Sequence, residues 1–174
     1  MIEEACDYLL VGHSERRHLF RETNANINRK IAMAIEYGIQ PVLCIGEGDE
    51  SALSDRKVET ELSNQITEAL SELSPSEISQ VLFAYEPLSA IGSGVPARPE
   101  SVSKKAGFIK ETVINISDSK LRIEDLSVLY GGSVTVENAA SYMELENVDG
   151  LLIGGASLKS DSFIKICHLA ASTG

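Results

Sequence analysis

Five times along the chain, a short and uniformly apolar run ends on glycine or an acidic residue and gives way to apolar residues at helical spacing. The runs are Tyr8 to Val11, Pro41 to Ile45, Val81 to Tyr85, Val128 to Tyr130 and Gly150 to Ile153. Helical faces follow them. Ile27, Ile31, Ala34 and Ile35 form the first, closed by Gly38 as a left-handed terminator. Val58, Leu62, Ile66, Ala69 and Leu73 form the second, stopped before Pro75. Val102 to Ile116, opened near Pro99, is the third, and Val136 to Met143 and Phe163 to Ala170 complete the set. Strands that are apolar on both faces and alternate with helices imply a parallel sheet covered by helices. A doubly wound open sheet and a closed barrel both satisfy the pattern. In either, the carboxyl ends of the strands share one rim, where chemistry collects. The expected organisation is one domain over residues 1–174. Met1 to Cys6 reads as the last turn of a helix, and Ser14 as the cap of a short turn from Glu15 to Leu19.

The chain of 174 residues carries a net charge of -11 with no basic stripe, which argues against nucleic acid or an anionic membrane as partner. Cys6, Cys44 and Cys167 are widely spaced and odd in number, as reduced cytoplasmic thiols would be, and fit no metal site. No run has the length of an export signal or a membrane span.

The rim carries the functional candidates. Glu86 ends its strand directly before Pro87, which forces it out of helical geometry and aims its side chain from the strand end. The residues after it, through Gly92 and Gly94, are small or aliphatic. A carboxylate on a rigid strand end before a glycine-hinged loop suits a general base under a moving cover. His13, at the end of the first strand, can polarise a carbonyl or carry a proton. Gly154-Gly155 before Ala156-Ser157 offers bare amides to an anion, and Gly132-Ser133 and Gly92 can add more. Each signal alone has a plainer reading: a surface Glu, a structural His, ordinary turn glycines. Gly46-Glu47-Gly48 is not a dinucleotide fingerprint, because Ser51 stands at the third glycine position. Neither a phosphate-binding loop with Gly-Lys-Ser/Thr nor a nucleophile elbow occurs.

Taken together, Val11 to Arg17 (VGHSERR), Cys44 to Glu47 (CIGE), Ala84 to Pro87 (AYEP) with Ala90 to Gly94 (AIGSG), Leu129 to Val134 (LYGGSV) and Gly154 to Leu158 (GGASL) resemble triosephosphate isomerase. The motifs follow the family's order over the whole chain. The resemblance implies a TIM (β/α)8-barrel, here a partial barrel of about five parallel strands with flanking helices. It implies interconversion of dihydroxyacetone phosphate and glyceraldehyde 3-phosphate, with no metal or organic cofactor. The family is itself the standard illustration of a glutamate base beside a neutral imidazole under a closing loop. By motif, Glu86 is the base and His13 the electrophile. Glu15, Ser14 and Cys44 are supporting residues. Gly92, Ser133, Gly154 and Gly155 hold the phosphate, and the lid runs from Pro87 to about Ala97.

Against the family pattern, a full barrel takes roughly 250 residues and eight strands. The family's first three strands, its active-site asparagine and lysine, and the loop of its homodimer interface have no counterpart here. Leu88-Ser89 replaces an aliphatic residue and tryptophan in the lid, and Val95 replaces lysine. Met1 falls where the family has an internal methionine, as a late start or a truncated gene would place it. Two readings follow: a cytoplasmic isomerase whose activity belongs to the full barrel, or a non-catalytic homologue with at most weak phosphate binding. An open five-strand fragment is also expected to expose two parallel edges and one side of its core.

Overall fold

A computed structural model describes residues 6–48, 54–90 and 95–173. Five strands, β1 (Tyr8–Val11), β2 (Gln40–Ile45), β3 (Leu82–Tyr85), β4 (Val128–Gly132) and β5 (Gly150–Ile153), form one parallel sheet. Each pairs with its neighbour in sequence, and the sheet curls into part of a barrel. The helices are α1 (Ser14–Leu19), α2 (Asn24–Glu36), α3 (Asp55–Ala69), α4 (Pro75–Ile78), α5 (Pro99–Ile116), α6 (Ala139–Met143) and α7 (Ser160–Ser172).

The pleat divides the strand residues between two faces. Leu43, Ile45, Phe83, Tyr85, Val128 and Tyr130 point to the helices and are buried with Ile31, Leu62, Ile66, Ile109 and Ile166. The intervening positions Val42, Cys44 and Ala84, joined by Leu82, Leu129 and Leu152, make a smaller cluster on the concave face. Burying a side chain of the first kind contributes about 1.5–3 kcal/mol, so the sheet–helix interface carries most of the packing energy. Among the described residues, only β2, β3 and β4 have strand partners on both sides. Tyr8 and Leu10 on β1 are 59% and 44% exposed, as an edge strand beside an open concavity requires.

Local sequence accounts for the helix ends. Gly38 (φ 71°) ends α2 in a Schellman arrangement: its N–H donates to Ile35 O, and Ile39 N–H donates to Ala34 O at 2.8 Å. Pro99 opens α5 at a first-turn position. Buried Lys110 on α5 meets Asp149 at 2.8 Å, and the same carboxylate accepts Val128 N–H, tying α5 to the entries of β4 and β5.

Several expectations need correction. Ser14 is not the cap of α1. His13 is, with Nδ1 accepting Glu15 N–H at 3.3 Å, while Ser14 is buried inside the first turn. The helix expected to reach Leu73 stops at Ala69, because the chain turns through Glu72 in left-handed geometry (φ 64°). A separate turn, α4, then follows, started by a Ser74/Glu77 capping box that the periodicity did not reveal. The fourth strand extends through Gly131 and Gly132. The turn expected over Met1 to Cys6 lies, up to Ala5, outside the described residues, and Cys6 itself has no regular structure.

Candidate active site

Gly12 starts the site. It adopts φ 71°, and a Cβ there would lie 2.8 Å from the Arg17 guanidinium and 2.9 Å from Ile27, so only glycine makes this turn. The turn swings His13 from the line of β1 over the concave face. His13, the cap of α1, Ser14, its first residue, and Glu86, just past the end of β3, then meet. Glu86 lies two positions beyond Ala84 and so continues the concave face of β3. Its Oε1 is 3.4 Å from His13 Nε2, and its Oε2 accepts the Ser14 N–H at 3.3 Å. Because His13 Nδ1 accepts from Glu15, the proton of a neutral ring sits on Nε2, facing the carboxylate.

Glu86 is only 5% exposed. Burial raises its pKa above the ordinary carboxylate value, against the opposing pull of His13, the Ser14 amide, the Cys44 thiol and Arg17. Cys44, fully buried beside it on β2, has its thiol pushed far up, first by burial and then by the Glu86 charge, and stays protonated. The backbone around Glu86 is fixed. Its N–H donates to Ile45 O at 2.7 Å, and a Cβ on Gly46 would fall 1.9 Å from its carbonyl oxygen. On the other side a Cβ at Gly131 would come within 2.9 Å of Glu86 Cγ.

A cleft of about 640 Å3 runs from this pair along the rim. Its walls include His13, Glu15, Glu86, Gly132, Ser133, Gly154 and Gly155, so one opening joins candidates from β1, β3, β4 and β5. Gly154 and Gly155 are exposed, and a Cβ on either would meet nothing within 4 Å. Among the described residues, no close contact therefore requires glycine at either position. They lead into a 3-10 turn over Gly155–Leu158. Ser133 donates its hydroxyl to Ala90 O at 2.7 Å, at the end of the 3-10 turn Leu88–Ala90 that follows Pro87. Gly92 and the other residues from Ile91 to Gly94, part of the expected lid, lie outside the described residues. No Lys or Arg is among the described residues lining the cleft.

Some residues around the site lie within the motifs quoted above but were given no role there. Arg17 donates to Gly12 O (2.7 Å), Asn24 Oδ1 (2.6 Å) and Cys44 O (3.1 Å), joining the ends of β1 and β2 behind the site. Glu47 accepts the Tyr85 hydroxyl at 2.9 Å, and its carbonyl accepts Leu88 N–H. The arginine pair after Ser14-Glu15 and the acid after Gly46 were visible, but only three-dimensional placement gives them partners.

A curled, helix-covered parallel sheet with an imidazole beside a buried carboxylate at its carboxyl rim defines the class: a barrel protein of the (β/α) type with a glycine-lined cleft at the strand ends. The chain belongs to the triosephosphate isomerase family, whose family model matches residues 1–170. It is 36% identical over 170 residues to the triosephosphate isomerase of Natranaerobius thermophilus, covering 98% of this chain and 65% of that protein. To those of Protochlamydia amoebophila and Francisella tularensis subsp. mediasiatica it is 42% identical, over 97% and 98% of this chain and 63% and 66% of theirs. The chain thus spans a little under two thirds of the length of these curated relatives. No described helix is long and apolar enough to cross a membrane, and no group of His, Cys, Asp and Glu among the described residues is arranged to hold a metal.

Proposed function

We propose that the chain carries the proton-transfer half of a triose-phosphate isomerase site, converting dihydroxyacetone phosphate and glyceraldehyde 3-phosphate through an enediolate. The observation that carries this reading is the 3.4 Å approach of His13 Nε2 to Glu86 Oε1, at one end of a cleft whose other end is the open Gly154-Gly155 turn. In this scheme Glu86 removes the proton from the carbon beside the carbonyl and returns it to the neighbouring carbon. The Nε2–H of neutral His13 donates to the oxygen that gains charge. Ser133, Gly154 and Gly155, with Gly92, hold the phosphate at a distance that keeps the reacting carbons over Glu86. Ser14, through its amide, and Cys44, through its thiol, orient the carboxylate, and Glu15 holds the imidazole tautomer through its amide. No metal or organic cofactor enters the scheme. The proposal extends to action in the cytoplasm, in keeping with three free thiols, and to the homodimeric assembly of the family.

The second reading, a phosphate-binding homologue without turnover, is favoured by the lining of the cleft, which includes Glu15 and Glu86 but no cation. Absence of a preorganised cation facing the developing oxyanion costs about 3–4 kcal/mol, by the measure of a lost oxyanion donor. A coupled isomerase assay on the purified chain, with Glu86→Gln as blank, separates the two. Turnover above the blank is expected if the first reading holds, and a rate equal to the blank refutes it for this chain.

A further inference from the structure

The tyrosine that ends the buried part of β4 has a second tyrosine stacked on it. Tyr130 and Tyr142, the latter on α6, have ring centroids 4.2 Å apart and planes 28° apart, and both are buried. Their hydroxyls converge on a single residue. Ala97 N–H donates to Tyr130 Oη at 3.1 Å, and Tyr142 Oη donates to the Ala97 carbonyl. Both polar groups of that peptide-bearing residue are thus taken up just before Arg98 caps α5.

The same pair touches the rim. A Cβ on Gly132 would lie 2.3 Å from Tyr130 Oη, so the phenol sits directly against the Gly132 α-carbon, next to Ser133. Ser133 in turn holds Ala90 O. The segment that leaves Glu86 is consequently pinned to the β4–α6 unit at Ala90 and again at Ala97. Tyr142 stacks on Tyr130, and the hydroxyl end of Tyr130 lies against Gly132, so the stack touches the strand end that leads to Ser133.

We propose that Tyr142 is a positioning residue for the phosphate rim: by stacking on Tyr130 and bonding Ala97 O, it holds Gly132-Ser133 and the returning segment in the geometry that receives an anionic group. The inference rests on the proposed phosphate-binding role of this rim. Tyr142→Phe keeps the stack and removes only the bond to Ala97, whereas Tyr142→Leu removes both.

The test follows amide hydrogen exchange at Ala97 and Ser133, inorganic phosphate binding by 31P NMR, and the urea midpoint, in the wild type and both variants. One neutral hydrogen bond corresponds to about a fivefold effect. Tyr142→Phe is therefore expected to loosen the peptide that follows Ala97, so that local opening speeds exchange of the Tyr130-bound Ala97 N–H by about fivefold, and to lower the urea midpoint by no more than about 0.5 M. Tyr142→Leu should add faster exchange at Ser133 and weaken phosphate by about fivefold or more. If the chain turns over triose phosphate, KM should rise in Tyr142→Leu by a larger factor than kcat falls. Unchanged Ala97 exchange in Tyr142→Phe overturns the clamp. Faster exchange with unaltered phosphate affinity in Tyr142→Leu, or a rise at Ser133 no larger than that at core amides, overturns the positioning role. Absence of phosphate binding in the wild type overturns the rim's proposed role instead, and Ala97 exchange still decides the clamp.

Discussion

Replacing Arg17 with methionine removes a side chain that ties the ends of β1 and β2 together behind the site. Its guanidinium donates three hydrogen bonds, to Gly12 O, Asn24 Oδ1 and Cys44 O. Burial lowers its pKa, countered by Cys44 and the Glu22, Glu86 and Glu61 charges, so the group is partly desolvated yet bonded. Methionine fills most of the stem volume and leaves two strand-end carbonyls without donors. A bond to a charged donor is worth about 1.5–3 kcal/mol, and an orphaned buried acceptor costs about 1–3 kcal/mol. Three such bonds do not add fully, because Asn24 also donates to Glu68 and can turn to water. The expected loss is about 3–5 kcal/mol. With a urea slope of about 2 kcal/mol per molar, the midpoint falls by about 2 M. Arg17→Lys restores a charge but not the fork and should lose about half as much. The reasoning is refuted if Arg17→Met shifts the midpoint by less than about 0.5 M at constant slope.

Glu86→Gln is expected to raise stability at neutral pH while abolishing the proposed proton transfer. Burial raises the folded pKa of Glu86, so between its unfolded value and that raised value the native state binds more protons than the unfolded one. The charged group therefore costs stability above the ordinary carboxylate range, and the cost fades as pH falls through it; urea midpoints of both proteins at pH 7 and pH 4 should diverge at the first and approach at the second. Gly46→Ala drives a methyl onto the Glu86 carbonyl, where a Cβ would lie 1.9 Å away, and should cost at least about 2 kcal/mol. Gly155→Ala meets nothing and should stay within about 0.5 kcal/mol of wild type by the same denaturation, while weakening phosphate in a 31P titration.

What the chain's order of residues disclosed, and what it hid, divides along a physical line. Strand and helix alternation was legible because buried strands and amphipathic helices need different apolar periods, and Gly38 announced the end of α2 because few other residues accept φ 71°. The end of α3 was hidden because the turn after it runs through Glu72 at φ 64°, a left-handed value that a glutamate does not announce as a glycine would. The His13 cap was hidden because serine is the commoner cap and the turn at Gly12 had to be known first. Glu86 and His13 stood out by chemistry, and the curl of the sheet supplied their contact. Arg17, Tyr130 and Tyr142 carry no local signature of their tasks, since each acts through partners 5 to 45 residues away in the chain.

The neighbour-to-neighbour order of the strands has a bearing on how such a chain is made. Each strand finds its place beside the one synthesised just before it, so the nearest long-range pairing is always with polypeptide already clear of the ribosome. Growth can proceed as successive additions at one advancing margin, with the finished part acting as template for the next unit. In such an assembly an error in one early strand is inherited by every later one, whereas an error in β5 leaves the Glu86–His13 contact already formed.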